Sequence, residues 1–384
     1  SAIEVSVDPE KIVKKPSRKL YLEDAQINAG INTDQTFVTD TVLVFGDNLG
    51  DRRFIAQLLS VSTYTDFRFT YLDIGKRFQK GITAYDSRGY FYTIDQTGQV
   101  NRAQQTQRYT GGELLGSYPL SRYYRVDGQV GFLSRQINYP YAIFNADGSQ
   151  GVLIQPRTDN FPRIAASLTG DTTVYQSWGP QSGNRFSISV NYAPDFKKAD
   201  AVDGTPGSTL TAGISLDYRR YIKITKRMQL AVRIFGAASR GNFPDVYAFG
   251  GLDTLRGLDY RAQIGNSIAY GNFELRFPLI DYLILPIGGF RDIRGRAFID
   301  IGGATLTNQP FQFWTTSGRD PRPAPANICA NVSGPCLING RSSFGFGFEL
   351  NFLGLPLHWD FARIWDFKHT FGSFRTAFYI GPSF

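Results

Sequence analysis

Apolar and polar side chains alternate along most of this chain, from about residue 24 to its C-terminus. The last eleven residues show the pattern clearly, because Phe374, Phe378, Ile380 and Phe384 share one parity while smaller or polar residues fill most of the other. A period of two puts alternate side chains on opposite faces of a β-strand. The pattern predicts a terminal strand whose apolar face either contacts lipid or covers a soluble core as an edge strand.

Sixteen such segments follow one another, each bounded by turn residues. We expect strands at about 24–31, 39–46, 53–62, 66–74, 79–93, 107–117, 122–137, 163–175, 183–194, 208–222, 227–239, 265–279, 294–304, 341–352, 355–366 and 373–384. A further apolar segment at 151–157 is assigned to a long loop, because a single-chain barrel with both termini on one side has an even number of strands.

The connections between these segments fall into two length classes. Long loops are expected at about 94–106, 138–162, 195–207, 240–264 and 305–340. Most of the other connections are tight turns. Long and short connections mostly alternate, as in a barrel whose long loops face the exterior and whose turns face the periplasm.

The residue types on the two faces favour a membrane barrel over a soluble sandwich. Aromatic residues dominate the apolar face, for example in 344–350, and charged or amide residues occupy the other. The chain has 31 Phe, 21 Tyr and 40 Gly but 1 Met, and its mean hydropathy is −0.23. It has no apolar run of the roughly 18 residues that a membrane helix needs, which excludes a helical membrane protein. The prediction is an all-β, transmembrane antiparallel β-barrel of about sixteen strands.

The charge distribution gives little information about function outside the N-terminal segment. The net charge is +8 but the basic residues are dispersed, so nucleic-acid binding is not expected. A basic cluster within 11–19 precedes the first strand and is typical of a solvated linker beside a membrane. We expect residues 1–23 to be a periplasmic linker or the remnant of an upstream domain, in a mature or trimmed chain, and residues 24–384 to form the barrel.

The two cysteines, Cys329 and Cys336, lie close together in a stretch rich in Pro, Gly and Asn. Their spacing is too wide for a zinc knuckle and no histidine is near. A small disulfide-closed loop in an oxidising compartment is the better interpretation. No metal and no cofactor is expected.

Residues 250–258 read GGLDTLRGL. This segment resembles the loop motif, Arg-Gly followed by a large residue, of the bacterial surface antigen barrel superfamily. The segments 272–279, 296–304 and 378–384 resemble the family's following strands in the same order. The superfamily contains the outer-membrane barrels that assemble or translocate proteins. In the N-terminal half, residues 44–53 followed by residues 71–81 resemble barrels fused behind a Tol-type β-propeller.

The resemblance implies a site. In the family this extracellular loop folds into the lumen, so Arg256, followed by Gly257, would meet acidic residues of the barrel wall. Glu274 and Asp300 occupy the matching positions, and alternation independently puts both on the inward face, opposite Phe273 and Ile299 in parity. A lipid-facing carboxylate would cost on the order of a few kcal/mol. A simpler alternative is that both acids solvate a wet lumen.

Leu258 departs from the family pattern, which usually has an aromatic residue there. The departure concerns how the loop packs rather than its ion pairs.

The function implied is insertion or translocation of client polypeptides, without enzymatic activity, in the bacterial outer membrane with both termini periplasmic. The short first strand, which includes Gly30, must pair with 373–384 and could part to admit client strands. The terminal strand would also serve as the barrel's own insertion signal. Expected partners are outer-membrane lipid and lipopolysaccharide, client polypeptides and periplasmic accessory proteins.

Two alternatives stay open. One is a passive pore or an anchor for an upstream periplasmic domain. The other is an outer-membrane enzyme, for which His358 and Asp360 would form a dyad; a lumen hydrogen bond is the more ordinary role for this histidine. No nucleophile-elbow motif is present.

Overall fold

The computed structural model describes residues 19–62, 64–89, 93–94, 100–101, 107–144, 150–176, 179–197, 201–252, 254–285, 288–307, 309, 311–315, 336–352 and 355–381. Sixteen strands of these residues form one sheet. They are β1 Leu20–Ile31, β2 Phe37–Asp47, β3 Arg52–Val61, β4 Tyr64–Asp73, β5 Gln79–Gly89, β6 Gln107–Pro119, β7 Tyr124–Phe144, β8 Gln150–Asp171, β9 Gly179–Pro194, β10 Thr209–Lys223, β11 Gln229–Arg240, β12 Ser267–Leu285, β13 Gly288–Thr305, β14 Gly340–Phe352, β15 Leu355–Trp365 and β16 Thr370–Ile380.

Every strand pairs antiparallel with its neighbours in sequence, and β1 pairs with β16. The sheet therefore closes into a barrel, which confirms the predicted fold. Within the described part of the chain, no helix is long and apolar enough to cross a membrane. β1 begins at Leu20, earlier than the expected residue 24.

Outward and inward faces alternate as the sequence predicted. The side chains of Phe273 and Ile299 are 41% and 39% exposed on the outer surface. Those of Glu274 and Asp300, one position further along each strand, are 1% and 0% exposed. The apolar face points out to lipid and the polar face lines the lumen, which is the inversion expected of a membrane barrel.

Two predicted connections are wrong. The long loop expected at 138–162 is strand, because β7 and β8 pair continuously from Tyr124 with Gly170 to Phe144 with Gln150. The apolar segment 151–157 therefore belongs to β8. The sequence near Tyr139 lacks the alternation of apolar and polar residues because the inner face of this ribbon is also apolar. Tyr139 and Phe161 lie on that face, in a buried cluster against the loop that follows β11.

The stretch 280–293 was also expected to connect strands. It continues β12 and β13, with Ile280 opposite Ile293, after a register shift at Pro278. Proline has no backbone N–H to donate to the ladder, so the alternation breaks at this bulge although pairing resumes beyond it.

The two rims differ in the length of their connections. At one rim the connections after β5, β9, β11 and β13 are long; we call it the long-loop rim. At the other rim short turns dominate, and a small ribbon, Val174–Gln176 paired with the start of β9, lies between β8 and β9. The loop after β11, residues 241–266, reaches back into the barrel and forms the site.

Candidate functional site: a lumen loop and a short seam

The loop 241–266 is a folded structure. Tyr247–Phe249 pairs with Gln263–Gly265 as a two-stranded ribbon, and Gly251 forms an isolated bridge with Leu255. Phe249, Leu255 and Leu258 are buried in a cluster with wall residues of the lumen. Leu258 therefore packs as a core residue. The ribbon and this cluster hold the Arg-Gly tip against the wall.

Arg256 is buried at the tip and binds two acids of the wall. Its Nε and Nη2 donate to the two carboxylate oxygens of Asp300 at 2.8 and 2.7 Å, and its backbone N–H donates to Oδ2 at 3.1 Å. Its Nη1 donates to Glu274. The guanidinium carbon lies 3.5 Å from the ring centroid of Phe298. Two-point binding of a carboxylate by a stacked, buried guanidinium fixes both the position and the orientation of the loop.

Further charges continue this site along the wall. Arg276 donates to Glu274 at 2.8 Å, and Asn272 donates to Asp300 at 2.8 Å. Asp360 accepts from Arg296 at 2.7 Å and lies 3.7 Å from Arg256 Nη1. Each buried carboxylate thus has a cationic partner. A buried charge is tolerated only when it is paired in this way.

Gly257 has a specific steric role. Its φ of +85° lies in the left-handed region, and an added Cβ would come within 3.2 Å of Ala362 on β15. Glycine therefore allows the chain to turn immediately after Arg256 while lying directly on the barrel wall.

A second anchor of the loop was missed by the sequence analysis. Arg135 on β7, fully buried, donates to Asp159 at 2.8 Å, to Asp245 of the loop at 3.2 Å and to the Phe243 carbonyl at 3.1 Å. Tyr109 on β6 donates to the same Asp245 at 2.8 Å. Alternation along its strand could have predicted that Arg135 faces the lumen. Its partner Asp245 lies in a loop, and alternation does not predict where a loop residue lies.

The contact between β1 and β16, which we call the seam, is short. Among the described residues, which end at 381, it contains three residue pairs: Ala29 with Ile380, Gly30 with Tyr379 and Ile31 with Phe378. β1 pairs with β2 along its whole length, so the edge of β1 from Leu20 to Asn28 has no strand partner among the described residues. An unpaired edge offers backbone N–H and C=O groups to an incoming strand.

The loop tip contacts both sides of the seam. On the β1–β2 turn, Asn32 Oδ1 accepts from the Leu252 N–H at 3.1 Å and Asp34 accepts from the Tyr260 N–H at 3.0 Å. On β16, Arg375 donates to the Gly257 carbonyl at 3.0 Å and also to the carboxylate of Asp259. The segment 250–260 therefore spans the seam on its lumen side.

Where described, the predicted closing-strand residues contact aromatic residues of the neighbouring strands or pair at the seam. Phe374 lies 5.7 Å from Phe346, and Phe378 lies 4.7 Å from Trp359, between ring centroids. Ile380 pairs with Ala29 at the seam. Phe384 lies outside the described residues.

Two other sequence predictions concern Cys329 and His358. Cys329 lies outside the described residues and only the backbone of Cys336 is described, so their disulfide stays a prediction. His358 Nε2 is 2.8 Å from the Gly381 carbonyl, and its ring stacks on Tyr379. Asp360 binds arginines instead, so the two residues do not form a dyad.

In the described residues no cluster of side chains has the arrangement of a metal site.

Comparisons with known proteins support the fold. No family model and no curated protein matches the chain. Among solved structures, BamA from Haemophilus ducreyi lacking POTRA domains 1–3 matches with a TM-score of 0.60 and 13% identity, over 93% of this chain and 69% of that one. CdiB from Escherichia coli has a TM-score of 0.51 and 14% identity, over 92% of this chain and 62% of its own.

CdiB from Acinetobacter baumannii has a TM-score of 0.52 and 12% identity, over 93% of this chain and 58% of its own. The chain thus spans about three fifths of each CdiB chain. At these identities the likeness shows the fold: this chain has a sixteen-stranded barrel of the kind found in BamA and CdiB.

Proposed function

We propose that this chain is an outer-membrane barrel that inserts or translocates polypeptides, using its lumen and the seam. The observation that carries the proposal is the seam, which has three residue pairs among the described residues, beside an edge of β1 that has no strand partner within them. A client strand could add to that edge by β-augmentation, which needs main-chain groups and no cofactor. The loop resting across the seam would keep the lumen closed between clients.

The lumen contacts weigh against the main alternative, a passive pore. The loop is anchored on β7 through Arg135, on β12 and β13 through Arg256, and on β16 through Arg375. A segment held at three places crosses the lumen that an open pore would need. Single-channel recording in planar bilayers separates the two: we expect small, fluctuating currents, and a large steady current would favour the passive pore.

A disulfide across the seam tests the proposal. Ala29 and Ile380 are directly paired, and Ala29→Cys with Ile380→Cys would lock β1 to β16. A matched control, Ala29→Cys with Thr39→Cys, links β1 to β2 through another directly opposite pair and leaves the seam free. Both variants would be incorporated into liposomes, and the folding rate of an added, urea-unfolded outer-membrane barrel would be measured.

We expect the wild-type chain to accelerate folding of the added barrel. The oxidised seam variant should lose this acceleration and regain it when reductant is added, while the control variant should keep it. Full activity with the seam locked would contradict the proposed route.

A further inference from the structure

The outer surface carries an apolar groove over β10 to β13, with a volume of about 970 Å³. Its floor lies on the lipid-facing parity and consists of small residues: Gly236 and Ala238 on β11, and Ala269 and Gly271 on β12. Elsewhere on the barrel the same parity carries large side chains, such as Phe67 and Phe69 on β4. Four small residues lie side by side on two adjacent strands and make a local indentation in the apolar band.

Large side chains form the walls of this groove. Ile214 on β10 stands on one side and Ile301 on β13 on the other, and Phe273 closes the end nearer the middle of the membrane. At the long-loop rim, Phe311 covers the opposite end. A channel with aliphatic and aromatic walls and a glycine–alanine floor fits a straight hydrocarbon chain, which gains dispersion contacts along its whole length.

Among the described residues that line the groove, one cation, Arg240, lies at its rim end. Arg240 is exposed and donates to the Ser239 carbonyl and the Ser267 hydroxyl, both at 3.1 Å. Both acceptors are uncharged, and within the described part of the chain no carboxylate pairs with this guanidinium. Its charge is available to an anionic group lying above the apolar channel. Arginine binds phosphate, like carboxylate, through two parallel hydrogen bonds.

The length of the groove matches one leaflet. From Ser267 to Phe273 on β12 the strand rises about 20 Å, at roughly 3.4 Å per residue. With a tilt of about 40°, this is about 15 Å along the membrane normal. The hydrocarbon core of a bilayer is about 30 Å thick, so the groove spans the acyl-chain depth of the leaflet at the long-loop rim.

We infer that this groove binds a phosphorylated, saturated-chain glycolipid of that leaflet, namely the lipid A part of lipopolysaccharide, with one acyl chain in the channel and one phosphate on Arg240. The choice of lipid A over a phospholipid rests on the proposed orientation, in which the long-loop rim faces the exterior. Groove binding itself does not depend on the proposed insertion activity.

Native mass spectrometry of the refolded full chain tests the inference. The protein would be released from detergent micelles that contain bisphosphorylated lipid A and phosphatidylglycerol at equal concentration. Gly236→Leu would place a large side chain in the channel, and its Cβ would meet no atom closer than 4.0 Å. Gly128→Leu on β7 is the matched control, because it also faces lipid and its nearest atom is likewise at 4.0 Å.

Arg240→Gln removes the proposed phosphate contact, and Arg220→Gln removes another outward arginine, on β10, which lies outside the groove and is bonded to Asn184. We expect wild type and both controls to retain lipid A. Gly236→Leu and Arg240→Gln should each weaken its retention about tenfold, the loss expected for one charge-assisted contact or its steric equivalent.

Equal retention by Gly236→Leu and Gly128→Leu would overturn the groove, and equal retention by Arg240→Gln and Arg220→Gln would overturn the phosphate contact. Preferential retention of phosphatidylglycerol by wild type would overturn the choice of lipid A. Heat-dependent gel mobility of each variant verifies that the barrel is folded, so that a loss of lipid reports on the groove.

Discussion

The β12–β13 wall and the seam are two contacts of the same sheet with opposite properties. β12 and β13 share seventeen residue pairs, and their inner face holds the buried acids that bind Arg256. The seam has three residue pairs within the described part of the chain. The loop that is fixed on the strong wall also spans the weak seam. The β12–β13 wall therefore serves as a rigid base, while the seam is held mainly from inside the lumen.

The largest expected effect is at the rigid base. Arg256→Ala leaves Asp300 and Glu274 without this guanidinium, and breaking a buried charge pair costs about 3–5 kcal/mol. We expect a lower urea midpoint for unfolding and a lower temperature for loss of the folded gel band, with the strand content unchanged.

Arg219→Ala on β10 is the control for this change. Arg219 is a lumen arginine 2.9 Å from Asp217, and Asp217 keeps a second partner in Arg233, also at 2.9 Å. This variant should lose about 1 kcal/mol or less. Equal losses for both variants would contradict a special role for Arg256.

A smaller effect is expected at the second anchor. Arg135→Ala frees the base of the loop from β7, but Asp159 keeps Arg157 at 2.8 Å and Asp245 keeps Tyr109 at 2.8 Å. Losing hydrogen bonds between charged groups should therefore cost about 2 kcal/mol. Proteolysis within 241–266 should become faster. Arg125→Ala is the control, because it removes an exposed ion pair with Asp127 on the same strand. It should change neither the stability nor the rate of proteolysis. An unchanged rate of loop proteolysis in Arg135→Ala would argue against this anchor.

The smallest effect is expected at the seam. Arg375→Gln weakens the contact of β16 with Gly257 and Asp259, where both side chains are partly exposed, and should cost about 1 kcal/mol or less. Its signature is local: faster amide exchange at the end of β1, with global stability nearly unchanged. Lys368→Gln in the adjacent turn removes the same charge and should have neither effect. A global loss of stability without faster local exchange would contradict the assignment.

The sequence predicts features that depend on neighbouring residues better than contacts between residues far apart in the chain. Alternation within a strand placed Glu274 and Asp300 on the lumen side, because parity is a local property. The register of the seam joins residues 29–31 to 378–380, and no local pattern sets it. The ion pair of Arg135 with Asp245 joins a strand to a loop, and alternation cannot predict the position of a loop residue. On β7 and β8 the inner face is apolar, so the alternation was absent and a loop was expected where the structure has strands.

Hydrogen–deuterium exchange of the native barrel in liposomes tests the contrast between base and seam most directly. The backbone amides of residues 20–28 that point away from β2 should exchange quickly, while those of 267–277 and 294–304, within β12 and β13, stay protected. Locking Ala29 to Ile380 with a disulfide should slow exchange at the end of β1. Protection of residues 20–28 equal to that of β12 and β13 would contradict an open β1 edge, and with it the proposed entry route for client strands.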